Sequence, residues 1–92
     1  MNIAIDEKRR ELRHPADGPV RVRFDDPQPL EIVGRLMDVS PSGFRMAHAN
    51  QSLQSGQVVQ FSHSSAVGAA RVMWNRIMDQ RVETGFLIVP AK

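Results

Sequence analysis

The chain has 92 residues, enough for one domain with one compact core and little spare stability. Hydrophobic residues make up 41% and charged residues 24%, which fits a globular protein and excludes the charge-rich, apolar-poor composition of a disordered one. The absence of cysteine excludes disulfides, thiolate metal sites and cysteine nucleophiles, and a net charge of +2 is too small for bulk binding to nucleic acid or anionic lipid.

The amino terminus offers only Ile3, Ala4 and Ile5 as an apolar run, too short for the core of a signal peptide. No stretch reaches the ~20 apolar residues of a membrane-spanning helix, so the expectation is a cytoplasmic protein without membrane insertion. Residues 2–12 suit at most a helical turn, marginal at that length, and residues 1–15 are expected to be flexible. Pro19 to Phe24 alternates Val20, Val22 and Phe24 with Arg21 and Arg23, the period of a half-buried strand. Asp25 to Pro29 reads as a turn. A second strand runs from Leu30 to Val39, with a bulge or bend expected at Gly34. Asp38 to Gly43 reads as a loop, followed by a third strand, Gly43 to Ala47, with Phe44 and Met46 on one face. Gln57 to Phe61, Ala69 to Ile77 and Arg81 to Val89 complete six strands, the last carrying Val82, Thr84, Phe86 and Ile88 on one side. Six short strands and no clear helix predict an all-β fold, a small six-stranded antiparallel barrel over residues 19–89, because closure removes exposed edges.

Ten of the twelve cations are arginine, and their placement matters more than their sum. Glu7-Lys8-Arg9-Arg10-Glu11-Leu12-Arg13 is either a solvated charge run or an anion clamp, since guanidinium forks match phosphate oxygens in pairs. Arginine also reads the O6 and N7 acceptors of guanine and stacks on bases. Asp38-Val39-Ser40-Pro41-Ser42-Gly43 is either a plain turn or a place where a carboxylate accepts from the N1 and N2 hydrogens of guanine. An antiparallel hairpin of the first two strands puts both motifs at the same end of the barrel. One then offers ligands for phosphate and for guanine acceptors, the other for guanine donors, which together point to a guanine nucleotide.

R-x-x-x-R (Arg9 to Arg13) before the first strand and D-x-S-x-x-G (Asp38, Ser40, Gly43) after the second resemble the PilZ domain. Val72-x-Trp74 and Gly85-Phe86 extend the resemblance over roughly residues 7 to 89. It implies a six-stranded barrel that binds the bacterial second messenger cyclic di-GMP as a receptor or adaptor for an effector protein. It implies no enzyme activity, metal or cofactor. By the resemblance Arg9 and Arg13 contact phosphates and guanine, Asp38 and Ser40 hold a guanine, and Gly43 keeps the loop open. Lys8 and Arg10 flank the clamp, with more cations than one two-phosphate ligand requires, which suits a stacked ligand pair. Trp74 is expected in the core, the alternative being the border of the pocket.

The main alternative is a small barrel that binds RNA or single-stranded DNA, but four Phe and one Trp, mostly on apolar phases, make a poor stacking surface. Catalysis lacks support, because Ser40 is outside a G-x-S-x-G elbow. His14, His48 and His63 have no metal-ligand spacing and read as surface or turn residues.

Overall fold

Alternation of apolar and polar residues becomes seven antiparallel strands in a computed structural model that describes residues 12–25 and 28–90. They are β1 (His14–Pro15), β2 (Pro19–Phe24), β3 (Leu30–Ser40), β4 (Gly43–His48), β5 (Val58–His63), β6 (Ala66–Met78) and β7 (Arg81–Val89). No helix occurs among the described residues. The helical turn considered for residues 2–12 lies outside them, apart from an exposed Leu12. Six strands close a ring in the order β3-β2-β5-β6-β7-β4, and the β3–β4 pairing completes it.

The predicted β2 and β7 coincide with the observed strands, and the inward sets Val20 and Val22, Phe44 and Met46, Val82 and Phe86 are all buried. Their common centre is aromatic. Phe44 stacks on Phe86 at 4.7 Å between ring centroids, lies 4.8 Å from Phe61, and meets the edge of His63 at 5.0 Å. Burying side chains of this size contributes about 1.5–3 kcal/mol each, so this cluster holds the ring together.

The seventh strand was not predicted. β1 extends along the edge of β3 that β2 occupies, pairing His14 with Val39 and Pro15 with Asp38. Gly18, at φ 119°, makes the break between β1 and β2, a conformation that side-chain-bearing residues rarely adopt. Backbone bonds from Ala16 N–H to the Met37 carbonyl and from Leu36 N–H to the Gly18 carbonyl tie this break to β3. The end of the segment expected to be flexible is therefore fastened to the barrel wall.

Two irregularities in register matter most. The one in β3 falls between Leu36 and Asp38, not at the expected Gly34. A second lies in β6 between Val72 and Trp74. Each inserts one residue and reverses the alternation beyond it. Leu36 and Val39 both face the core, so Asp38 turns outward; Val72 and Asn75 both face inward, so Trp74 turns outward. The loop expected over Asp38 to Gly43 shrinks to the two-residue turn Pro41–Ser42, because Ser40 already pairs with Gly43.

Candidate ligand-binding site

The turn fixes what lies opposite Asp38. With Ser40 facing Gly43 and Val39 facing Phe44, Asp38 falls directly across from Arg45. Arg45 in turn lies across from Gly85 of β7, and Gly85 across from Trp74 of β6. Both register shifts thus place their outward-turned residues on one cross-strand row, Asp38–Arg45–Gly85–Trp74, on the outer wall of the barrel.

Asp38 is the hub of this row. Its Oδ1 accepts a hydrogen bond from Arg13 Nη1 at 2.8 Å, and its Oδ2 accepts from Arg45 Nε at 2.9 Å and from Arg45 Nη2. The carboxylate side chain is only 10% exposed, against 45% for Arg13 and 33% for Arg45. Burial pushes the Asp38 carboxyl up, but the hydrogen bonds and positive charges of Arg45, and then of Arg13, outweigh it and hold the group below its ordinary value. The same bond to Asp38 raises Arg45, aided by the negative charge of Glu83. Glu83 is itself nearly buried and accepts from Arg81 at 2.9 Å, so Arg45 stands between two fixed carboxylates.

Ser40, two residues beyond Asp38, has the outward phase of the same strand. Its hydroxyl makes a long 3.5 Å contact with the Gly43 carbonyl, which leaves it able to accept or donate to a ligand. Gly43 is buried. A Cβ there would overlap the Phe86 carbonyl oxygen, so its smallness serves close approach of β4 to β7 and not an open loop. Trp74 corrects the expectation of a core residue. It is 37% exposed, and its indole lies across Gly85, where a Cβ would collide with the ring. Adjacent strands are ~4.8 Å apart, so the indole covers a point about 10 Å from the Asp38 strand, on the same face.

Arg13 and Asp38, 25 residues apart in sequence, are brought together as the hairpin argument required. Arg9, Lys8 and Arg10 lie outside the described residues. Arg45 escaped the sequence reading, although a turn placed at Pro41–Ser42 would have paired it with Asp38.

The histidines also divide. His14 is exposed, His63 half-buried, and His48 buried inside the barrel, contrary to a surface or turn position. The Asn50 N–H donates to His48 Nδ1 at 3.1 Å, which assigns the ring proton to Nε2; that group donates to Thr84 Oγ1 at 2.7 Å. Thr84 donates to Asn75 Oδ1 at 2.6 Å, and Asn75 Nδ2 to the Leu53 carbonyl at 2.9 Å. Burial lowers His48 from its ordinary value, as the neutral ring of this chain requires. The chain fastens the 50–57 loop to the wall and presents no group to the Asp38 row. Among the described residues no cluster of His, Asp and Glu could hold a metal ion, and no helix is long and apolar enough to cross a membrane. A surface concavity of about 400 Å³ beside Phe24, Gln57 and Gln60 lies at the opposite end of β2 from Asp38.

The six strands thus form a closed barrel that carries an arginine–aspartate row on its outer wall. The chain matches the family model of the PilZ domain over residues 7–88, most of its length, and belongs to that family. This is a family of receptor and adaptor domains for cyclic di-GMP, not a catalytic one. Comparison with curated proteins finds no match.

Proposed function

We propose that this domain is a cyclic di-GMP receptor in which Arg9 and Arg13 bind phosphates and guanine while Asp38 and Ser40 hold a guanine edge. Trp74 borders the same face as an apolar platform. The observation that carries the reading is the Arg13–Asp38 ion pair, which joins the two motifs on one exposed wall. Each partner presents the group that the ligand needs, a fork for phosphate or guanine N7 and O6, and a carboxylate for guanine N1–H and N2–H.

In the structure the two partners satisfy each other. Binding is then an exchange. Arg13 leaves Asp38 for the ligand, the guanine edge takes its place, and the amino-terminal segment moves with Arg13. An effector protein that reads that new surface receives the signal. Lys8 and Arg10 add cations for a second, stacked ligand, which gives a titration end point of two per domain.

Calorimetric titration with cyclic di-GMP, with GTP, GMP and a short oligonucleotide as controls, tests this. Saturable binding of cyclic di-GMP alone is expected, with a loss of ~1–3 kcal/mol in each of Arg9→Ala and Arg13→Ala, the worth of a bidentate guanine contact. Lysine at either position does not restore it, because it lacks the planar fork. Wild-type affinity in the double alanine variant, or binding of the oligonucleotide instead, refutes the proposal.

A further inference from the structure

Arg45 belongs to neither sequence motif, yet it supplies two of the three hydrogen bonds drawn from the arginines to Asp38. The carboxylate oxygens are divided between the two guanidiniums, Oδ2 with Arg45 and Oδ1 with Arg13. Arg13 is the more exposed of the pair and lies just ahead of the two-residue β1, whereas Arg45 sits within β4, paired to β3 and β7 on either side. Oδ1 is therefore the oxygen more readily released, since its partner Arg13 is the more exposed and gives it a single bond.

Resting on the receptor reading above, we infer that Arg45 is the positioning residue for guanine recognition. It holds Asp38 ionised and aims Oδ1 at the N1–H and N2–H edge of a guanine once Arg13 has turned to the ligand. Without Arg45, the departure of Arg13 would leave a nearly buried carboxylate with no cation, a strongly unfavourable state. Asp38 would then keep Arg13 or turn from the base, and guanine would lose its reader. The preference of the site for guanine over hypoxanthine, which lacks the 2-amino group, thus depends on a residue that touches neither.

The test compares cyclic di-GMP with cyclic di-IMP on the wild type, Arg45→Ala and Arg45→Lys. The wild type should prefer the guanine ligand by about tenfold or more, the worth of one lost directed contact. In Arg45→Ala that ratio should fall to within about twofold, and Arg45→Lys should fall between, since an ammonium keeps the charge but not the paired bonds. A merely structural role would weaken both ligands equally and leave the ratio alone. An unchanged ratio in Arg45→Ala therefore overturns the inference, as does full preference in Arg45→Lys should the alanine variant not fold. Failure of the wild type to bind either ligand overturns the receptor reading instead.

Discussion

Replacing Asp38 by asparagine keeps the shape of the side chain and removes its charge. That carboxylate accepts three bonds from two guanidiniums while only 10% exposed. Bonds to charged groups are worth about 1.5–3 kcal/mol each when both partners are desolvated. Here Arg13 and Arg45 are 45% and 33% exposed and can rehydrate, and the asparagine oxygen keeps one of them. The net cost is therefore roughly 1–3 kcal/mol, which in a domain of this size lowers the melting temperature by roughly 4–24 °C. Arg45→Ala should cost more than Arg13→Ala, since it removes two of the three bonds from the less exposed partner. The pH dependence has a fixed sign. Arg45 and Arg13 hold the folded Asp38 carboxyl below the unfolded value near 3.8, so its contribution is complete above that pH and is lost as pH falls through the folded value. Thermal melts of wild type and Asp38→Asn at pH 7, 5 and 3 should differ equally at the first two and by less at the third, the direction set by the lowered carboxyl. A variant that melts within about 2 °C of wild type at pH 7 would show that the pair behaves as a solvent-screened surface bridge, and the reasoning would fail.

Burial lowers His48 below its unfolded value of 6.5, so stability should be complete above pH 6.5 and decline as pH falls from there; melts from pH 8 to 5 should show the slope, and His48→Gln should reduce it to the share of His63, which burial lowers likewise. Phe44→Ala, at the centre of the aromatic cluster, should cost about 3–5 kcal/mol in urea unfolding, and a loss below 1 kcal/mol would misplace the core. Trp74 is the only tryptophan, so its fluorescence should be quenched by acrylamide in the free protein and protected by saturating cyclic di-GMP. Equal quenching in both states would remove Trp74 from the ligand face.

Regular alternation was readable wherever it was undisturbed. Val20, Val22 and Phe24 placed β2, and Val82 through Ile88 placed β7, because a barrel strand turns every second side chain inward. The ends of β5 and β6 were harder, since Ser62, His63 and Ala66 to Gly68 carry little contrast between faces. The site suffered most from the two register shifts. Counting by twos from Val72 puts Trp74 in the core, and only the extra residue at Met73 turns it outward. Counting by twos from Leu36 likewise points Asp38 into the core, which the D-x-S-x-x-G motif marked but could not orient. Nothing in β4 itself marks Arg45, because its meaning lies in the strand opposite and not in its own. The motif residues were legible as chemistry; their common face was legible only as geometry.

The exchange of partners at Asp38 is best followed at Arg13 itself. Side-chain NMR of labelled arginine reports each guanidinium, and the free protein should show an Arg13 fork restrained by its bond to Asp38 Oδ1. Titration with cyclic di-GMP should shift the Arg13 signals to a second bound position while those of Arg45 remain paired with Asp38. Arg13 signals unchanged at saturating ligand would contradict the exchange on which the whole account turns.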